Sequence, residues 1–146
     1  MRRVPANQTA KGLPRRAVAA VEFAICLPVL LVLAFGCTDL GRAFATYIIV
    51  SNAARVGAEY GATHGCTTYT YASWQSQVIQ QTTNEMQGSP AFDSVNLTTV
   101  VSTTPVTSSL YEVTVTTSYP FTMITAWPGL PQQFNVTHSV TMQRYR

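Results

Sequence analysis

Residues 17–38 read Ala17-Val-Ala-Ala-Val-Glu-Phe-Ala-Ile-Cys-Leu-Pro-Val-Leu-Leu-Val-Leu-Ala-Phe-Gly-Cys-Thr38, and this stretch governs how everything around it is read. Its only carboxylate is Glu22. As an α-helix rising ~1.5 Å per residue it spans ~33 Å, the thickness of a bilayer's hydrocarbon core. A buried core helix is the competing reading, but the rest of a 146-residue chain is too small to surround so long an all-round apolar rod. The stretch therefore predicts one transmembrane segment over about 18–38. Arg2, Arg3, Lys11, Arg15 and Arg16 precede it with no acid among them, whereas from Ala17 onward there are four Arg and six acidic residues, Glu22 included. That asymmetry predicts a single-pass protein with a cytoplasmic N-terminus and the remainder outside.

Composition agrees. Charged residues make up 10% and apolar residues 47%, with mean hydropathy +0.13. An ordinary soluble domain carries roughly 25% charged residues, so the balance excludes a disordered or supercharged chain. The formal net charge of +3 divides into +5 on the Pro-containing N-terminal tail and −2 on the remainder, so the basic residues are not on a folded face, which argues against a nucleic-acid partner.

Beyond the apolar run, Leu40, Phe44, Tyr47, Val50, Ala54 and Gly57 recur at spacings of three and four, a helical stripe. Proline is absent between Pro28 and Pro90. One helix over about 18–61 is expected, apolar all round in its first half and amphipathic in its second. Three processing routes compete: secretory cleavage after Ala45 at Ala43-Phe44-Ala45, lipidation at Cys37 after Ala34-Phe35-Gly36, or a cut near Ala17 on the cytoplasmic side. The third keeps the helix, and the stripe favours it, because a discarded signal has no reason to continue into an amphipathic helix. The first two would release a secreted or lipid-anchored binding domain.

Four blocks now stand in order on this helix: Arg15-Arg16-Ala17-Val18-Ala19-Ala20-Val21-Glu22-Phe23-Ala24, then Leu27-Pro28, then Asp39-Leu40-Gly41-Arg42-Ala43, then Ser51-Asn52-Ala53-Ala54-Arg55-Val56-Gly57-Ala58. Over residues 15–61 the chain resembles the TadE-like family, pilin-like minor components of the tight-adherence (Tad, or Flp-type) branch of bacterial type IV pilus systems. Val113–Phe121 and Ser139–Arg144 resemble, more loosely, the tails that follow such helices. The resemblance implies a basic leader over residues 1–17 that a prepilin peptidase removes. It places the cut between Ala17 and Val18, with Glu22 at the fifth position after it and alanine where glycine is usual. It implies Asp39, Gly41, Arg42, Asn52, Ala53, Ala54, Arg55 and Gly57 as motif residues. The implied partners are the bilayer, other pilin-like (minor pilin or pseudopilin) subunits, the Tad assembly platform and the peptidase.

The same residues carry physical expectations of their own. A carboxylate in an apolar membrane helix costs several kcal/mol unless it is paired or neutralised, which marks Glu22 as functional. The family reading pairs it with a neighbouring subunit's N-terminal amine, or uses it to set register at the platform. The competing reading lets it snorkel to the headgroups. Pro28 removes one backbone hydrogen bond and predicts a kink or soft point around residues 24–28.

Residues 62–146 read as an extracytoplasmic α+β domain. Tyr71, Trp74, Val78 and Met86 mark a short helix over about 72–87, stopped by Gly88 and Pro90. Ser and Thr supply 18 of the 52 residues from Ala91 to Met142, yet two runs alternate cleanly and so read as strands, not as a flexible stalk. Tyr111, Val113, Val115, Thr117, Tyr119 and Phe121 form one inward row, and Phe134, Val136, His138, Val140 and Met142 another. A weaker strand is expected over 94–102 through Val95, Leu97 and Val101, and an irregular loop over 120–131. The expected fold is thus α+β and pilin-like, with the helix packed on a small antiparallel sheet of three to four strands. Motifs for nucleophilic catalysis, phosphate cradling or zinc proteolysis are missing, so neither an enzyme, a cofactor nor a small-molecule substrate is expected. His64, Cys66 and His138 make a poor metal set, and Cys66 is expected to stay unpaired within the chain.

Overall fold

The computed structural model describes residues 15–88 and 92–145. Most of the basic leader and Pro90 therefore lie outside the described residues. In chain order the elements are α1 (Arg15–Thr63), α2 (Tyr71–Gln87), a 3-10 turn (Ser94–Asn96), β1 (Thr98–Pro105), β2 (Leu110–Thr122) and β3 (Gln133–Tyr145). This is the expected α+β arrangement of a long helix, a short helix and a three-stranded antiparallel sheet. The chain divides into two compact units, the first ending at Cys37 and the second beginning at Thr38, inside α1.

The first unit contributes the start of α1. The helix runs unbroken through Pro28, although the ring removes the N–H that would bond to the Ala24 carbonyl. Every side chain from Val18 to Phe35 is exposed, and none of the most apolar stretch is buried within the chain.

In the second unit, α1 and α2 lie together on one face of the sheet. The strands form a meander in the order β1-β2-β3. Val113, Val115, Thr117 and Phe121 of β2 point inward at every second residue, as the alternation predicts. Against them pack Ala58, Trp74 and Val78 at one end and Val50, Ala53 and Met86 at the other. Each fully buried Val contributes about 1.5–3 kcal/mol relative to leaving it in water. α2 supplies its face at steps of four, through Trp74, Val78, Thr82 and Met86.

The opposite face of the sheet explains the Ser/Thr enrichment. Thr114 pairs with Thr141, Thr116 with Ser139 and Ser118 with Thr137, each hydroxyl pair at 2.9 Å. Such cross-strand pairs contribute roughly 0.2–1 kcal/mol apiece and hold the β2–β3 register on a face that has no core to hold it.

Three details depart from the sequence reading. The stripe expected to pack on the sheet is rotated in its first half: Leu40 and Phe44 are 60% and 67% exposed and Tyr47 is also exposed, while Asp39 is buried and Ala43 half-buried. From Val50 onward the small residues Ala53, Ala54, Gly57, Ala58 and Gly61 form the buried stripe. Close approach of helix to sheet selects small side chains, so the large apolar ones fall outside the contact. β1 begins at Thr98 and not near Ser94. The Asp93 side chain accepts hydrogen bonds from the Val95 N–H (3.1 Å) and the Asn96 amide (3.0 Å), so a local turn wins over extension there and Val95 is 87% exposed. Finally, β2 continues through Pro120 to Thr122. Proline is tolerated because β1 starts opposite Ser118, leaving β2 paired only with β3 at Pro120.

Candidate functional site

The residues singled out from the sequence fall into three groups along α1. Ala17, Val18 and Glu22 lie in its first turns. Glu22 is exposed and makes no ion pair among the described residues. The helix there presents one carboxylate on an otherwise apolar surface, and Pro28 lies six residues further on.

The second group is built around Asp39, where the second unit begins. Its carboxylate is only 3% exposed and is surrounded by donors from the loop after β2. Oδ1 accepts the Ile124 backbone N–H at 3.0 Å, and Oδ2 accepts the Thr125 N–H at 3.1 Å and the Trp127 Nε1–H at 3.3 Å. Arg42, one helical turn on, donates to Oδ1 at 3.4 Å and to the Thr122 carbonyl at 3.5 Å, and its guanidinium lies 5.2 Å from the centre of the Phe121 ring. The loop presents its donors through a turn in which the Leu130 N–H bonds to the Trp127 carbonyl, with Gly129 at φ +84. That value lies in the left-handed region where a Cβ is strained. The Ile124 hydrogen bond holds the Asp39 carboxyl below the ordinary carboxylate range. Burial opposes it, and Thr125, Trp127 and Arg42 add to the lowering. A carboxylate saturated in this way is a clasp between helix and loop and has no lone pair to spare for proton transfer.

The third group is steric. Ala53, Ala54 and Gly57 are buried, while Asn52 and Arg55 are exposed. A Cβ at Gly57 would collide with the Thr82 hydroxyl and meet Val115 Cγ1 at 3.3 Å; at Gly61 it would meet Val113 Cγ1 at 2.9 Å. Gly41 has nothing within 4 Å. The motif residues thus divide: Asp39 and Arg42 converge on the loop, Ala53, Ala54 and Gly57 set the packing distance, and Gly41, Asn52 and Arg55 face outward.

The weak metal set is not brought together. The His64 ring stacks on Tyr60 at 3.9 Å, and His138 meets Tyr47 edge-on at 5.6 Å. Among the described residues, His, Cys, Asp and Glu nowhere gather in a group of three fit for a metal. Two participants escaped the sequence reading, Trp127 and Arg144. Both sit where alternation or loop composition predicts nothing polar to be needed, and only their partners in space reveal them.

The family described as TadE-like protein has a model that matches residues 17–59, in agreement with the resemblance drawn over residues 15–61. The match lies wholly within α1 and takes in all three groups. The looser likeness of Val113–Phe121 and Ser139–Arg144 lies outside it. No curated protein and no solved structure matches the chain.

Proposed function

We propose that this chain, TadE-like over residues 17–59, is a membrane-anchored pilin-like subunit of a tight-adherence pilus assembly, with a structural role and no catalysis of its own. One observation carries the reading. The family match falls on a helix whose apolar half, Val18 to Phe35, buries nothing within its own chain. Those side chains require a bilayer or the helices of other subunits, and a pilin-like subunit meets both in turn. The N-terminus lies in the cytoplasm and the β-rich unit on the far side of the inner membrane, as the basic flank directs. Prepilin peptidase cuts between Ala17 and Val18, and Glu22 then pairs with a neighbour's new amine or sets register at the platform. Pro28 gives the helix a point of give as it leaves the bilayer. The rival, release after Ala45, has a cost visible in the fold: it would strip Asp39 and Arg42 from the loop they clasp.

The experiment is piliation in a strain carrying Glu22→Gln. The variant is expected to insert and accumulate normally while surface pili fall by at least about tenfold, since breaking a buried charge pair costs roughly 2–5 kcal/mol. Normal piliation with Glu22→Gln would leave Glu22 as a snorkelling surface charge. Normal piliation after deletion of the whole chain would remove the function itself.

A further inference from the structure

The second unit holds one buried charge that the pilin-like reading does not use. Along β3 the inward row Phe134, Val136, His138, Val140 and Met142 continues to Arg144, where an apolar side chain would suit the alternation. Arg144 is 7% exposed. Its guanidinium carbon lies 5.7 Å from the Trp74 ring centre and 5.4 Å from that of Tyr111, its register partner on β2. One terminal nitrogen donates to Cys66 Sγ at 3.3 Å, and Nε is buried with no hydrogen-bond partner. Among the described residues no carboxylate reaches it. Glu112, one residue from Tyr111, is engaged by Gln143 at 3.2 Å.

Two aromatic faces and a thiol attract a guanidinium but do not neutralise it, and an unpaired buried charge is costly. The cost makes sense where the charge meets a ligand. Arg144 lines a cavity of about 310 Å³ whose walls also carry Cys66 and the hydroxyl-bearing residues Thr67, Thr68, Tyr71, Thr103 and Tyr111. A fixed cation among hydroxyl-bearing side chains suits an oxoanion, since a planar guanidinium can donate to two oxygens side by side.

We propose that the cleft between the Cys66 loop and the end of β3 binds a small oxoanion, a carboxylate or a phosphate, through Arg144. The proposal does not depend on the pilus reading. It is tested on the full chain in non-ionic detergent by the rate at which iodoacetamide alkylates Cys66, followed on the Cys66 peptide by mass spectrometry. Cys26 and Cys37 serve as internal controls. Sodium phosphate or sodium acetate replaces sodium chloride at constant ionic strength. A bound anion covers the thiol, so alkylation of Cys66 is expected to slow saturably, roughly tenfold when the anion is near ten times its Kd, with Cys26 and Cys37 unchanged. Slowing by phosphate alone identifies a phosphate as the ligand class; slowing by acetate identifies a carboxylate. Arg144→Met keeps an apolar stem against Trp74 and is expected to abolish the protection. Thr103→Val, which leaves Arg144 in place, is expected to weaken it and covers the case in which Arg144→Met does not fold. Absence of saturable slowing by either anion, or equal slowing in folded Arg144→Met, overturns the proposal.

Discussion

Replacing Gly57 by valine is expected to destabilise the β-rich unit by about 3 kcal/mol or more, at the upper end of what overpacking a core costs. A single Cβ already collides with the Thr82 hydroxyl and presses on Val115. Neither neighbour yields cheaply. Thr82 is fully buried and β-branched, and its hydroxyl is committed to the Val78 carbonyl at 2.9 Å, while Val115 is fully buried in the central strand. The two further methyls of valine have no space to enter. Gly41→Ala provides the contrast of sign. Nothing lies within 4 Å of Gly41, so alanine there is expected to stabilise the helix by up to about 1 kcal/mol through propensity alone. Thermal unfolding of the full chain in detergent reads both. A Gly57→Val protein as stable as the unmodified chain would mean that α1 does not lie this close to α2 and β2.

The second large effect is expected at Asp39. Asparagine matches the shape but presents an NH₂ where the carboxylate receives N–H donors from Ile124 and Arg42 on one oxygen or Thr125 and Trp127 on the other. At least one pair then loses its acceptor, and the melting temperature at pH 7 is expected to fall on the order of 10 °C. The pH dependence carries the sign of a lowered carboxyl. Asp39 binds its proton less readily folded than unfolded, so its contribution is fully present above the unfolded value of about 4 and is lost as pH falls through the lower folded value. The gap between the unmodified chain and Asp39→Asn is therefore expected to hold from pH 7 to about 5 and to narrow below about 4. A gap that stays constant into acid would show that the carboxylate's charge contributes nothing to the clasp.

Much of this architecture was legible in the residues, and the misses share one cause. An unbroken apolar block and runs with a fixed period announce themselves: the block at 17–38, the steps of four through Trp74, Val78 and Met86, and the alternation through Val113, Val115 and Phe121. Each depends on neighbours along the chain. Asp39 depends on donors 85 to 88 residues away, and Arg144 on Trp74, Tyr111 and Cys66, contacts that no local pattern encodes. The rotation of the α1 stripe has a related origin. The expected inner face is Leu40, Phe44, Tyr47, Val50, Ala54 and Gly57; the last three are buried, whereas the large Leu40, Phe44 and Tyr47 are exposed, because close packing on the sheet selects for size. At Asp93 a short side chain competing for backbone N–H groups displaced the start of β1, an effect that the weak alternation through Val95 could not outweigh.

The proposed role requires the helix to remain joined to the β-rich unit after export. The most direct measurement is the intact mass and N-terminal residue of the protein recovered from fractionated cells. The expected species is a chain that begins at Val18, continues through the β-rich unit and is found in the alkali-resistant membrane fraction. A soluble chain beginning at Thr46 in the culture fluid would contradict it.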